Sequence, residues 1–371
     1  MWTQAIIALL VSLLVTILAT PLAKKIASRF DAIDYPDQRR VNLVPVPRMG
    51  GIAIFCGCFA TIFITWLLIT QFHFPDIFKY APGTPINYIY IAIGATVMFF
   101  VGVVDDAINL KATHKLIGQI VASCIVASSG LTISFIQNPL SPGSIIEFGA
   151  FSYPLTVFYL VAFANIINLI DGLDGLAAGI SAISAATITI YAVIIGKWDA
   201  AIIGFMIVGA CIGFLKSNFH PASIFMGDSG SLLLGLSLGI LSLMAIARTA
   251  FVFSLLVPIL AAGVPITDTA VAIIRRKKNH HPINTPDRGH IHHRLLDAGL
   301  SQRNAVLVMW GWTLVLSICG LVFAELDGIA KPISLIVAAG ITFFAIIKLH
   351  LLSDALTHYY SPRKRRKKVS K

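Results

Sequence analysis

The chain has 371 residues, of which 57% are hydrophobic and only 12% charged, and its mean hydropathy is +0.85. Soluble domains carry about twice that share of charge, so the composition argues against a soluble globular enzyme and against a disordered chain, and points to lipid as the solvent. A formal net charge of +11 then fits cytoplasmic loops against anionic headgroups and an anionic substrate, rather than nucleic acid.

Eleven apolar runs of about bilayer length follow one another, at roughly 2–20, 51–70, 86–104, 116–136, 151–170, 176–195, 200–215, 231–247, 251–274, 305–324 and 333–352. The seventh is short, and the ninth contains Asp268, an intramembrane acid and therefore a functional candidate. No Lys or Arg precedes the first run, while Lys24, Lys25 and Arg29 follow it. That order is the reverse of a signal peptide and predicts a retained helix with its N-terminus outside. Alternate loops divide the 28 Lys and Arg residues into 24 on one side and 4 (Lys79, Lys197, Arg248, Lys331) on the other. The positive-inside rule makes the richer side cytoplasmic. The expectation is an all-α, polytopic protein of about eleven transmembrane helices with a cytoplasmic C-terminus. Residues 1–352 would form one transmembrane domain, and 353–371 a basic, unstructured tail against the membrane. The five cysteines (Cys56, Cys58, Cys124, Cys211, Cys319) lie in apolar runs and read as small hydrophobes rather than disulfide partners.

Four polar clusters fall on the cytoplasmic side. Asp105-Asp106 ends the third run and is followed by Asn109, Lys111, His114 and Lys115. Adjacent carboxylates repel unless a cation or proton separates them, and acids with a lysine suit a metal and a phosphate, although a solvated helix end would look the same. In N-I-I-N-L-I-D-G-L-D-G, Asn168, Asp171 and Asp174 step by three and share one helix face. Such oxygen donors suit Mg²⁺; the competing reading is a turn between two spans. Asp228 precedes the eighth run, as a helix cap or as a metal ligand beside a phosphate, with Phe225 able to stack on a base or simply to pack. Arg288, His290, His292, His293 and Arg294 form the fourth cluster. Zinc is disfavoured there by adjacent histidines and flanking arginines, and a diphosphate fits better. The first loop adds Asp31, Asp34, Asp37, Arg39, Arg40 and Arg48 before Gly50-Gly51. No G-x-G-x-x-G, P-loop or G-x-S-x-G occurs. The residues alone point to Mg²⁺-assisted transfer chemistry on a phosphate substrate at the membrane surface.

Over about residues 20–300 these clusters resemble the polyprenyl-phosphate N-acetylhexosamine-1-phosphate transferases, carried by VVDDAINL, NLIDGLDGLA, FMGDSGS and RGHIHHR. The last stretch looks like the UDP-GlcNAc branch that starts O-antigen or wall teichoic acid synthesis, not the muramoyl-pentapeptide branch. The resemblance implies transfer of GlcNAc-1-phosphate from UDP-GlcNAc to undecaprenyl phosphate, releasing UMP, with another UDP-N-acetylhexosamine as the alternative donor in the same reaction. It implies Mg²⁺ (Mn²⁺ as the substitute) on Asp228 and Asn168, and catalytic roles for Asp105, Asp106, Lys115, Asp171 and Asp174. It also implies uracil contact by Phe225, and a donor-binding role for Arg288, His290, His292, His293 and Arg294. Membrane lipids are expected partners, and a second copy of the chain is an allowed one, since relatives are often dimers. One departure stands out: Asn42 replaces the histidine many relatives carry, which puts a side-chain base or donor there in doubt. A one-step displacement and an aspartyl-phosphate route both stay open. A membrane prenyltransferase, faintly imitated by the paired acids, would leave the histidine cluster unexplained. A transporter would place its polar groups near the midplane.

Overall fold

The computed structural model of the chain describes residues 1–35, 44–76, 86–137, 144–246, 256–280, 289–326 and 328–352. Asp37, Arg39, Arg40, Asn42, Lys79, Arg248, Arg288, Asp327 and the basic tail lie outside the described residues.

The protein is all-α and polytopic. In chain order the helices are α1 (Trp2–Arg29), α2 (Gly51–Thr70), α3 (Tyr88–Ile108), α4 (Ala112–Ala127), α5 (Ser152–Ile170), α6 (Leu176–Ile194), α7 (Trp198–Asn218), α8 (Gly227–Ile246), α9 (Leu256–Ala261), α10 (Gly263–Lys278), α11 (Ile291–Asp297), α12 (Gln302–Glu325) and α13 (Ala330–Lys348). Two short antiparallel ribbons and a 3-10 turn at Gly149–Phe151 complete the described elements. Ile33–Asp34 pairs with Val46–Pro47, and Phe135–Gln137 with Ile145–Glu147. Side-chain caps fix two helix starts: Asn87 accepts from the Ile89 amide and Ser301 from the Asn304 amide.

Among the described residues nine helices are long and apolar enough to cross a membrane. The two expected spans that differ do so for visible reasons. α4 stops at Ala127 after 16 residues, about 24 Å of rise, because the rest of its apolar run turns into the Phe135–Gln137 ribbon. Within the expected ninth span, residues 251–255 lie outside the described residues, and the remainder is split into α9 and α10 at Ala262. Pro265 sits in the first turn of α10, where a missing amide costs nothing to the helix. α8 begins at Gly227, four residues before its apolar run, and that early start carries Asp228 into its first turn.

Packing follows membrane logic. α1 turns its small residues, Ala5, Ala8, Ser12, Thr16, Thr20, Ala23 and Ala27, inward at a spacing of three to four, so that α2 and α7 approach closely. On the opposite face Leu10, Leu14, Leu18 and Leu22 are exposed, as lipid requires. α8 is nearly all buried and packs on α2, α3, α5, α6 and α7, whereas α13 buries only Ser334 and Ala338. The central position of α8 brings its N-terminal turn against the ends of α3 and α5.

Candidate active site at the first turn of α8

Asp105 and Asp106 occupy the last turn of α3, which Asn109 closes in the left-handed region, its amide donating to the Asp105 carbonyl at 2.8 Å. Adjacent residues on a helix diverge by about 100°, so the two carboxylates do different things. Asp106 is buried and accepts the backbone amides of Asp228 and Ser229 at 2.8 and 3.0 Å, one on each oxygen. It caps α8 from a neighbouring helix and complements its dipole. Asp105 accepts the Leu110 amide on Oδ1 at 2.8 Å and turns Oδ2 toward Lys115 Nζ, 3.6 Å away.

Lys115, in the first turn of α4, is the centre of the cluster. Its ammonium donates directly to Asp228 and reaches Asn168 Oδ1 at 3.3 Å. Asn168, near the end of α5, gives its amide hydrogens to Asp228 Oδ1 (2.9 Å) and Ser231 Oγ (2.8 Å). Asp105, Asp228 and Asn168 thus turn an oxygen each to one positive centre. The donor set fits Mg²⁺, a hard cation that takes one or two protein carboxylates and completes its shell with water and phosphate. Among the described residues no group of three His, Cys, Asp or Glu side chains is placed to hold a metal ion by itself, so a cation at this cluster would draw on Asn168 and on substrate oxygens as well.

The turn after α5 carries Asp171, Gly172, Asp174 and Gly175. Desolvation pushes the Asp171 carboxyl up to about 7, with the charges of Asp106 and Asp174 adding to it, so it holds or releases a proton near neutral pH. Asp174 Oδ2 lies 2.8 Å from His220 Nδ1 and accepts the Ala222 amide at 3.1 Å, fastening this turn to the α7–α8 connection. Gly172 lies against the fourth cluster: a Cβ there would fall 2.6 Å from His292 Nε2. The acidic turn and the histidine helix α11 are therefore in contact through a position only glycine fits. His292 is buried, its ring between His290 (5.8 Å, nearly parallel) and His293 (4.3 Å). Burial pushes it down to about 3, with His293 and His290 lowering it further against the opposing pull of Asp268. His292 is neutral at physiological pH, so positive charge on this side rests elsewhere, on Arg294 among others. Arg294 is buried in the same short helix.

Phe225 is half-buried and held through its backbone. Its amide donates to the Pro47 carbonyl, and its own carbonyl accepts from Gly50 at 2.9 Å. These bonds, with Gly51 donating to Met226 at 3.0 Å, splice the first loop to the start of α8. Arg48 adds Nη2 bonds to the Asp106 carbonyl (3.0 Å) and Asn109 Oδ1 (2.6 Å). Of the sequence-predicted residues, the structure gathers Asp105, Asp106, Lys115, Asn168 and Asp228 directly, with Asp171 and Asp174 in the adjoining turn. His290, His292, His293 and Arg294 lie on the helix beside that turn, and Arg288 lies outside the described residues. Sequence reasoning gave no role to Ser231, His220 or the Gln119–Asn165 amide pair (2.6 Å for Asn165 Nδ2 to Gln119 Oε1). Asn165 lies one turn before Asn168, and a second amide on that face was the available signal.

A family profile described as glycosyl transferase family 4 matches residues 88–246, which contain the α3, α4, α5 and α8 parts of this site. The chain is 38% identical over 329 residues to a Bacillus subtilis protein named "Probable undecaprenyl-phosphate N-acetylglucosaminyl 1-phosphate transferase", covering 89% of this chain and 86% of that one. The chain belongs to this transferase family. It is 35% identical over 362 residues to the decaprenyl-phosphate N-acetylglucosaminephosphotransferase of Mycobacterium tuberculosis (91% of this chain, 86% of the relative). With the undecaprenyl-phosphate alpha-N-acetylglucosaminyl 1-phosphate transferase of Yersinia pestis it shares 27% identity over 316 residues (84% and 82%). The family makes the protein an enzyme, a transferase of polyprenyl-phosphate sugar-1-phosphate chemistry, in a multi-pass membrane fold.

Proposed function

We propose that the protein transfers GlcNAc-1-phosphate from UDP-GlcNAc to undecaprenyl phosphate on the cytoplasmic face of the membrane, giving undecaprenyl-diphospho-GlcNAc and UMP, with Mg²⁺ required. The observation that carries the reading is the Lys115 ammonium set among Asp105, Asn168 and Asp228 at the ends of four helices. Its neighbour is the histidine helix, across Gly172. A cluster at helix ends suits a substrate shared between lipid and water, and is unlike a transporter's midplane site.

An oxygen of the lipid phosphate attacks the β-phosphorus of the nucleotide sugar, and the bond from that phosphorus to the UMP oxygen breaks. Lys115 offers its charge to the phosphoryl oxygens as it develops there. Asp105, one oxygen held by the Leu110 amide, orients the acceptor phosphate and takes its proton where one remains. Asp228 and Asn168 would hold Mg²⁺, which supplies charge neutralisation for the diphosphate and for leaving UMP. Asp106 keeps Asp228 in place by holding the first turn of α8. His290, His292, His293 and Arg294, with Arg288, bind the donor diphosphate, and Phe225 stacks on its uracil.

The test is transfer in detergent with UDP-GlcNAc labelled in both sugar and β-phosphate. Both labels should enter the lipid phase, UMP should be released, and EDTA should stop the reaction. Release of UDP would overturn the mechanism. Asp228→Ala should slow turnover about 10³-fold or more, about 4 kcal/mol; full activity of that variant would remove the metal assignment.

A further inference from the structure

Asp268 stands five residues into α10, inside an apolar segment and almost fully buried. A carboxylate in that setting needs partners, and it has two from one place. Oδ1 accepts the Ile291 amide at 2.7 Å, and Oδ2 lies 2.8 Å from His290 Nδ1. One carboxylate therefore grips both the backbone at the start of α11 and the first ring of its histidine stack. The same helix face, two turns on, carries Arg275, also buried, which donates to the Leu351 carbonyl at 2.7 Å. α10 thus ties two buried charged side chains to other parts of the fold, and Asp268 is the one that meets His290.

We propose that Asp268 is a positioning residue for the donor site: it fixes His290 with Nδ1–H bound to the carboxylate, leaving Nε2 as the ring atom available to the nucleotide sugar, and through the His290–His292 stack it sets the histidine helix against the acidic turn at Gly172. The partner of one imidazole nitrogen decides the state of the other. A carboxylate accepts only, so the nitrogen facing it must carry the proton. The inference rests on the reading that α11 binds the donor.

Asp268→Asn separates this role from simple capping. The amide oxygen still accepts the Ile291 amide, but the NH₂ group now faces His290 Nδ1 and forces it to be the acceptor, moving the proton to Nε2. The variant should raise the KM for UDP-GlcNAc at least tenfold, leave the KM for undecaprenyl phosphate unmoved and keep the wild-type unfolding temperature. His290→Gln should raise the donor KM similarly, and adding Asp268→Asn to it should do no further harm. Losses that multiply in the double variant, or a change confined to the lipid KM, would overturn the proposal. Imidazole ¹⁵N spectra of the wild-type protein, with His290 assigned from its loss in His290→Gln, decide the matter even if Asp268→Asn does not fold. Nδ1 must be protonated, and a neutral ring carrying its proton only on Nε2 would refute the assignment. Absence of transfer by the wild-type enzyme would count against the donor reading, while the ¹⁵N spectra would still judge Asp268.

Discussion

Asp106 commits both oxygens to the amides of Asp228 and Ser229, while Asp105 keeps one oxygen facing Lys115. Substitution should separate these neighbours. Asp106→Ala removes the cap of a buried helix and should lower stability by about 2 kcal/mol as well as activity. Asp105→Asn should abolish most transfer with little change in thermal unfolding. Unfolding temperatures and transfer rates measured on the same two preparations check this. His292 gives a pH prediction. Its folded value of about 3 lies below the ordinary 6.5, so the unfolded chain takes up a proton first as pH falls. Stability from this residue is complete above pH 6.5 and declines as pH drops toward 3, by about 2 kcal/mol at pH 5. His292→Asn should flatten the fall in unfolding temperature between pH 7 and 5.

At the scale of elements, the site depends on how closely α3 and α8 approach. A Cβ at Gly102 would fall 2.4 Å from the Asp228 carbonyl oxygen, so this contact is backbone against backbone. Gly102→Val has no room to relax, because Met98 and Phe99 on the same helix are already buried in the core. It should destabilise by about 1–3 kcal/mol, the usual cost of overpacking. It should also reduce transfer more than that loss explains, since the displaced backbone is that of Asp228. A Gly102→Val enzyme with wild-type turnover below its unfolding temperature would show that the α3–α8 spacing does not set the site. The break between α9 and α10 has its own consequence: α10 starts afresh at Gly263 and aims Asp268 at the histidine helix.

At the scale of the whole molecule, the charge asymmetry makes a claim about orientation. The loops joining α5 to α6 and α11 to α12 should face the cytoplasm, and the Ile145–Glu147 ribbon the exterior. In a background without the five native cysteines, Arg303→Cys should react with a membrane-impermeant maleimide only in inverted vesicles. Glu147→Cys should react only in right-side-out ones. Both positions are exposed. The reverse pattern would invert the topology and place the site outside.

Hydropathy and charge alone determine that this chain lives in a membrane as a helical bundle. Apolar runs of bilayer length need no partner to be recognised, because the backbone satisfies itself within each helix. The polar motifs also declare themselves, since carboxylates and amides at the lipid boundary are costly unless used. What one sequence does not encode locally is which polar group meets which. Asp105 and Asp106 look equivalent in a string; only the packing of α3 on α8 makes one a cap and leaves the other facing a lysine. The run at 251–274 reads as one span, yet the structure breaks it at Ala262. The shortened α4 likewise depends on a ribbon that forms with residues further along the chain. Asp268 is visible as an anomaly in an apolar run, but its partner lies 22 residues further along the chain. Such pairings are set by tertiary approach at ångström scale, where a glycine at position 102 or 172 decides whether two backbones or a ring can meet.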